Sequence, residues 1–392
     1  MDTPDGPPDT ARRDIVVLVT GLDYGGAERQ VAELARRLAE RGWRVGVVSM
    51  LPPRAFADEL EAAGVPVATL GMARGVPDPR ALARLAGMLG QWRPLVLHSH
   101  MVHANLLGRL VRLVRRVPVQ VSTAHNVDEG ARWREVAYRL TDPLCSLTTN
   151  VAEAAVERYV RVGAVPAGRI EHVPNGVDTE RFRPDPEARR RVRGEWGGGA
   201  FWWLAVGRFE EQKDYPTLLR AFARVRAERP EARLAIAGAG PLRSGMEALA
   251  AEVGVASSVR FLGLRTDVPA LMAAADAYVL SSAWEGLPLV LLEAAASRLP
   301  VVTTDVGGTA EIFGSRRFVV PPRSPDALAG AMSAVHAAPA ADRTALGLRN
   351  RERVEATYSL DSVVERWEGV YQRLLHERGV GRGTGAQRRD VA

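Results

Sequence analysis

The chain runs twice through one order of segments: an apolar run, a glycine-bearing turn, then a stretch with helical spacing. Ile15-Val16-Val17-Leu18-Val19 has the length and β-branched content of a strand buried on both faces. Gly21, Gly25 and Gly26 follow, and Ala27 to Arg41 then sets Val31, Leu34, Ala35 and Leu38 at helical spacing. Val45 to Met50, Leu95 to Ser99 and Val117 to Thr123 continue the strand series, with helical segments at 78–91 and 104–116. A second series opens with Phe201 to Val206 and continues through Arg233 to Ala237, Val259 to Leu262, Ala277 to Leu280 and Val301 to Thr304. Its helical segments are 215–229, 241–253, one ending at Ala275, and 288–297. This alternation predicts parallel βαβ units with right-handed crossovers, and so two doubly wound α/β domains. Two such domains facing one another predict a ligand site in the cleft between them, at the carboxyl ends of both sheets.

The length of 392 residues suits two domains of ordinary size. Composition breaks between Pro174 and Gly199, where Pro174-Asn175-Gly176 reads as a turn and Arg, Pro and Asp then dominate. The expected division is an N-terminal domain over 14–178, a linker over 179–199 and a second domain over 200–358. A helix over 359–377 is long enough to leave the second domain and pack back on the first. Residues 1–13 and 378–392 are expected to be disordered.

Hydrophobic residues at 46% and charged residues at 25% describe an ordinary soluble protein, and the net charge of +6 suits an anionic partner. No aromatic-rich basic segment resembles a platform for single strands or RNA, which excludes nucleic acid as the expected partner. One cysteine, Cys145, excludes an internal disulfide, fits a reducing compartment, and lies in an apolar stretch as a core thiol. No basic and apolar leader is evident at Met1 to Thr10, and no run of about 18 apolar residues occurs. The expected location is cytoplasmic.

Among 52 lysines and arginines, Lys213 is the single lysine. It ends Arg208-Phe209-Glu210-Glu211-Gln212-Lys213, between an apolar run and a helical pattern. Arginine offers a planar fork and lysine a compact ammonium, so this pair at a strand-to-helix turn suits a bound diphosphate. A second constellation is Ser281-Ser282-Ala283-Trp284-Glu285-Gly286-Leu287-Pro288-Leu289-Val290-Leu291-Leu292-Glu293. Here a glycine turn follows Glu285, and a helix expected from Pro288 offers the amides of Gly286 and Leu287 to phosphate oxygens. Eight helical positions separate Glu285 from Glu293 by about two turns and roughly 80°, so Glu293 reaches another part of an extended ligand. Glu293 has apolar flanks, and its carboxylate suits two ribose hydroxyls. His100 and His125 fall at strand ends of the first domain, with His98 and His103 as supporting residues. Gly25 and Gly26 either let backbone approach a ligand or serve a tight turn that needs positive φ.

Together these residues resemble family 4 of the retaining glycosyltransferases, two-domain enzymes of the GT-B fold that use nucleotide-sugar donors. The resemblance spans nearly the whole chain. It takes in Gly25-Gly26-Ala27-Glu28-Arg29, His98-Ser99-His100, His125-Asn126, Val173-Pro174-Asn175-Gly176-Val177-Asp178, Ala237-Gly238-Ala239-Gly240-Pro241 and Phe261-Leu262-Gly263. Arg208/Lys213 with Glu285-x7-Glu293 is its most specific part. It implies that Arg208 and Lys213 hold the donor diphosphate and neutralise the leaving group, that Glu293 binds ribose and that Glu285 lies by the donor sugar. Gly25, Gly26, Gly263, Gly286 and Leu287 are implied on the donor side. His100 is implied beside the reacting sugar, and His125 and Asn126 on the acceptor or sugar side. One departure is Asn150, where relatives usually carry Ser before the helix opening at Val151; Asn caps a helix equally well.

The function expected is sugar transfer from a UDP-linked donor to a hydroxyl of a glycan, lipid-linked or small-molecule acceptor, in polysaccharide, glycolipid or cell-envelope glycan synthesis. No Asp-x-Asp pair occurs, so catalysis without a metal or other cofactor is expected, with protein cations in its place. The alternatives are a nucleotide-sugar epimerase or phosphorylase on the same plan, or a non-catalytic nucleotide-sugar-binding protein. A dinucleotide dehydrogenase is disfavoured, because neither domain opens with a full Gly-x-Gly-x-x-Gly and a spaced acid. Arg109, Arg112, Arg115 and Arg116 read as a solvated helix face. With Arg132, Trp133, Arg134 and Arg139 they offer the alternative of peripheral contact with anionic lipid at the inner membrane face.

Overall fold

The computed structural model describes residues 12–128 and 130–381. It divides into two compact units, the first through Val173 with residues from Val364 onward, the second Pro174–Val363. The first holds β1 (Ile15–Val19), β2 (Val45–Ser49), β3 (Val67–Thr69), β4 (Val96–His100), β5 (Val119–Ala124), β6 (Leu147–Asn150) and β7 (Ile170–His172). Every pairing is parallel, in the order β3-β2-β1-β4-β5-β6-β7. The second holds β8 (Phe201–Val206), β9 (Ala232–Ala237), β10 (Val259–Gly263), β11 (Ala277–Leu280), β12 (Val301–Thr304) and β13 (Val319–Val320). These are parallel in the order β10-β9-β8-β11-β12-β13. Each sheet therefore reverses direction between its first and fourth strands, at β1/β4 and at β8/β11. Loops diverge there, and that opens a crevice beyond the strand ends.

The apolar runs produce these sheets because their residues are buried on both faces. All five residues of β1, β2 and β4 are buried. Val16, Leu18, Val48 and Leu97 pack against Leu85 and Leu89 of the helix Arg80–Trp92. In the second unit Leu204, Leu234, Ile236 and Val279 are fully buried, as are Leu218, Leu219 and Phe222 of the helix Tyr215–Glu228. Each such side chain contributes about 1.5–3 kcal/mol by leaving water. Strands β3, β6, β7 and β13 lie outside the expected series because each is either very short or interrupted by polar residues. Leu147-Thr148-Thr149-Asn150 in β6 is polar yet wholly buried, its hydroxyls bonded within the core.

The expected linker over 179–199 is a correction: it contains the helix Pro186–Trp196. Asp185 caps it, accepting from the Glu187 and Ala188 amides at 2.9 Å. Val192 and Trp196 are buried, and Arg189 and Arg193 both pair with Asp276. Those arginines read as a solvated linker in sequence, but they are the polar seam that fastens the helix. The final helix, Leu360–Glu377, belongs to the first unit from Val364 on. Arg41 and Trp43 Nε1 bond Glu368 there, at 2.9 and 2.8 Å. Of the termini expected to be disordered, residues 1–11 and 382–392 lie outside the described residues. Arg13 is ordered by a 2.8 Å bond from its amide to the Trp92 carbonyl, and the Gly379 amide closes a turn on His376 O at 2.9 Å.

Candidate active site

At the β8/β11 switch point, the loops after the two strands are bonded together. Ala283 N donates to Gln212 O and Ser281 Oγ to Lys213 O, each at 2.8 Å. This brings Lys213 Nζ within 2.6 Å of Glu285 Oε1. Ser282 Oγ donates to the same oxygen at 2.8 Å, and Gln212 Nε2 donates to Oε2 at 3.0 Å and to Trp284 O at 3.1 Å. Glu285 thus accepts three hydrogen bonds with its side chain only 8% exposed, and Lys213 is 17% exposed. A charge pair this buried needs such extra donors to offset its desolvation. Arg208 is different. Its side chain is 58% exposed and pairs with Glu210 at 3.2 Å, so it stays outside the Lys213–Glu285 cluster.

The floor of this site is backbone held at close range. A Cβ on Gly238 would lie 1.9 Å from Gly207 O, and only glycine lets these strand ends approach so closely. Tyr215 Oη donates to Gly207 O at 2.9 Å and Tyr278 Oη to Val206 O at 3.3 Å. Burial raises both phenols above their ordinary range, and the charge of Glu285 adds to this, so they remain hydrogen-bond donors. Glu293 is half-buried on the helix Leu289–Ala296, near enough for its charge to act on Tyr278. Gly263 ends β10 with φ +71° and accepts from Gly238 N at 2.8 Å, placing it beside the same floor.

Two sequence expectations need correction here. The helix begins at Leu289 with Pro288 as its N-cap, so Glu285 lies in the preceding loop and the 80° helical relation to Glu293 does not apply. The loop at Gly286 and Leu287 is instead fixed by its carbonyls. Gly308 N donates to Gly286 O at 2.8 Å, and Asn175 Nδ2 donates to Leu287 O at 3.2 Å. Gly307, at φ +54°, would put a Cβ 2.0 Å from Gly286 O. Sequence reasoning missed Gly307, Gly308, Gln212, Ser282 and the two tyrosines. The double glycine after β12 carried the same signal as Gly25-Gly26 after β1.

In the first unit, β4 puts His98 and His100 on one face and Ser99 on the other. His100 Nδ1 lies 3.0 Å from His125 Nε2, so the structure brings these two residues together. His98 packs against His100 in a tilted contact with ring centroids 4.0 Å apart, while its own nitrogens bond Tyr371 Oη and Thr123 Oγ1, each at 2.7 Å. It is a supporting residue. Burial lowers all three pKa values, His98 to about 3, His125 to about 4 and His100 well below the ordinary 6.5; neighbouring imidazoles lower His98 and His100 further. The rings are therefore neutral near pH 7. Met101, the next residue, holds φ 72° and ψ 154°, a region nearly reserved for glycine and a form of strain that concentrates at functional sites. His103 and Asn126 are exposed, and Asn126 O accepts from Asn150 Nδ2 at 3.1 Å.

Gly25 and Gly26 open the helix Gly26–Glu40, but Gly25 has φ −135°, so positive φ is not its reason. A Cβ there would lie 2.1 Å from Glu28 Oε2, which folds back over the helix start. The helix expected at Val151 begins at Glu153 with Ala152 as N-cap, and Asn150 Oδ1 accepts from Ala152 N at 3.3 Å from within β6. Arg115 and Arg116 are exposed as the solvated-face reading expects, but Arg109 is not. It is fully buried, donating to Ser122 Oγ, Tyr138 O, Thr141 Oγ1 and Thr148 Oγ1 at 2.7–3.2 Å, with its guanidinium 4.6 Å from the Tyr138 ring centroid. Cys145 is a buried free thiol. Among the described residues, no group of three or more His, Cys, Asp or Glu is placed to hold a metal ion.

Residues 200–337 match the family model for glycosyl transferases group 1, and residues 24–181 match that for Glycosyltransferase Family 4. The chain is 31% identical over 282 residues to a GDP-mannose-dependent alpha-(1-6)-phosphatidylinositol monomannoside mannosyltransferase of Mycolicibacterium smegmatis, covering 67% of this chain and 73% of that protein. It is 28% identical to the protein of the same name in Mycobacterium tuberculosis, over 89% of this chain and 95% of the relative. Its fold matches the crystal structure of Anabaena Alr3699/HepE in complex with UDP at TM-score 0.81 and 19% identity, across 92% of this chain and 100% of that one. With the sites at two switch points and these matches in hand, the chain is a GT-B glycosyltransferase and belongs to family 4, group 1.

Proposed function

We propose that this glycosyltransferase moves a hexosyl group from a UDP-sugar to a hydroxyl of a lipid-linked or glycan acceptor, with retention of anomeric configuration and without a metal. The observation that carries this reading is Lys213 held at 2.6 Å from Glu285 at the β8/β11 switch point. Breaking the anomeric bond gathers negative charge on the leaving nucleotide diphosphate. A fixed ammonium at that position stabilises the charge more in the transition state than in the ground state. Arg208, exposed and free to swing from Glu210, closes on the diphosphate as the second cation. Glu285 orients the ammonium and meets the sugar hydroxyls, while Glu293 accepts from ribose. His100 is the first unit's candidate contact for a sugar hydroxyl.

The relatives named for GDP-mannose make guanine the competing base, and the HepE structure with UDP favours uracil only by fold. The test is a screen of UDP- and GDP-hexoses against lipid-linked acceptors in chelator-treated buffer, with the product anomer read by NMR. Transfer from a UDP-hexose with the donor's own anomeric configuration supports the proposal. Transfer from GDP-mannose alone, an inverted product or dependence on added metal each removes the corresponding part.

The acceptor side also bears on a membrane. No helix among the described residues is long and apolar enough to cross one. The first unit nevertheless exposes Leu113, Val114, Trp133, Val136 and Leu140, with Arg115, Arg116, Arg132 and Arg139 exposed among them. The two segments lie side by side, since Asn105 Nδ2 donates to Tyr138 Oη at 2.6 Å and Arg112 to Leu144 O at 2.8 Å. Apolar side chains ringed by arginine suit the interface of an anionic bilayer. Sedimentation with phosphatidylglycerol vesicles, reduced in a Trp133→Ser/Leu140→Ser variant, is the expected result. Equal sedimentation with neutral vesicles contradicts it.

A further inference from the structure

The His100–His125 contact has a property that neither ring has alone. His100 Nδ1 and His125 Nε2 are 3.0 Å apart, so exactly one N–H lies between them when both rings are neutral. The two outer nitrogens, His100 Nε2 and His125 Nδ1, are buried, and among the described residues neither has a hydrogen-bond partner. A neutral imidazole carries one proton, on one nitrogen or the other. That leaves two arrangements. If His125 Nε2–H donates inward, His100 must carry its proton on Nε2, and His125 Nδ1 is a bare acceptor. If His100 Nδ1–H donates inward, His100 Nε2 is the acceptor and His125 carries its proton on Nδ1. Both rings therefore hold the same tautomer, and the outer ends always have opposite polarity.

We propose that His125 is a positioning residue acting as a tautomer relay: the group bound at His125 Nδ1 sets whether His100 Nε2 donates to, or accepts from, a sugar hydroxyl. The ligand class is polyhydroxylated, because a hydroxyl can serve either end. The inference rests on the reading above that His100 meets the sugar. The surroundings keep the relay to two rings. His98 packs against His100 at a tilt but has both nitrogens committed, to Tyr371 and Thr123, so it confines the ring without joining the exchange. The strained backbone of Met101 holds His100 at the end of β4. Burial keeps the rings uncharged near neutral pH, which the two-state relation requires.

The test uses the full chain with its 7 histidines labelled with ¹⁵N, the signals assigned with His100→Gln and His125→Gln variants. Long-range ¹H–¹⁵N spectra at pH 7.5 report each ring's tautomer without any transfer reaction. Matching tautomers in His100 and His125, with a changed His100 tautomer population in His125→Phe, is the expected result. Opposite tautomers, or a His100 ring unmoved by His125→Phe, overturns the relay. In transfer assays His125→Phe should lower kcat about three- to tenfold, the worth of one hydrogen bond, with donor KM little changed. His125→Gln, whose amide can donate or accept, should recover most of that loss, whereas equal loss in both variants also counts against the relay. Full activity in His100→Gln would instead sink the sugar-contact reading, while the tautomer result would still decide the relay.

Discussion

The two units carry their candidate residues in opposite ways. In the second, charge is concentrated on loops: Lys213, Glu285, Gln212 and Ser282 form one bonded cluster after β8 and β11. In the first, His98, His100 and His125 are neutral and packed ring against ring at tilted angles, His98 and His100 buried and His125 half-buried, with Thr123 and Tyr371 behind them. The same parallel-sheet switch point therefore supports both a preorganised ion pair and an uncharged hydrogen-bonding surface. On the proposed function, the difference follows from the chemistry each half would face. A departing diphosphate needs fixed positive charge, whereas a sugar hydroxyl needs donors and acceptors of definite polarity.

The largest effect should fall on the charged half. Lys213→Ala is expected to lower turnover roughly 10²–10³-fold, by analogy with the loss of one preorganised donor, and to lower the thermal unfolding midpoint while the protein stays folded, because Glu285 is left buried without its ammonium. Initial-rate assays beside calorimetric melting would check it, and near-normal turnover would break the contrast between the halves. Glu293→Ala should also give severe loss in the same assay.

The uncharged half should instead be sensitive chiefly in stability. Arg109→Met removes four hydrogen bonds, to hydroxyls of Ser122 in β5 and Thr148 in β6 and to Tyr138 O and Thr141 Oγ1 on the helix Arg132–Thr141. It should destabilise by about 2–4 kcal/mol, counting the oxygens left unpaired, while nucleotide affinity stays the same. Urea unfolding and a nucleotide titration together test that separation. A variant that loses nucleotide binding but keeps stability would contradict it.

A pH series sharpens the same point. The three imidazoles have folded pKa values below the ordinary 6.5, about 3 for His98 and about 4 for His125. Below pH 6.5 the unfolded chain binds protons that the folded chain refuses. The rings' contribution is thus intact above pH 6.5 and is lost as pH falls toward 4 and 3. The slope approaches about 1.4 kcal/mol per pH unit for each ring. Urea midpoints at pH 7, 6 and 5 should fall in that order. His98→Gln should flatten the dependence, and an unchanged slope would contradict the assignment. The smallest effect is expected for Gln212→Ala, which frees one oxygen of Glu285 and should cost about three- to tenfold in kcat.

The same contrast explains what could be read in the sequence. Both sheets were legible in their long apolar strands, because β1, β2 and β8 owe their burial to their own side chains. Lys213, Glu285 and Glu293 stood out in the sequence for separate reasons: Lys213 is the single lysine, Glu285 precedes a glycine turn, and Glu293 is a charge with apolar flanks. Strand β6 and Arg109 were not, because their burial depends on partners distant in sequence: Thr148 meets Arg109 and Thr149 meets Thr123 only once the sheet has formed. The helix Pro186–Trp196 was hidden for a similar reason, since Arg189 and Arg193 look like solvent residues until Asp276 faces them. Gly307 and Gly308 carried a readable signal that went unused. The tautomer pairing of His100 with His125 needed the 3.0 Å contact itself.

The central claim is that Lys213 holds the donor diphosphate, and calorimetric titration of UDP and of GDP into chelator-treated wild type and Lys213→Ala tests it most directly. The account predicts binding of UDP by the wild type and at least about tenfold weaker binding by the variant, the loss of one charge-assisted contact. Equal affinity in the two proteins would remove Lys213 from the diphosphate site and contradict the account.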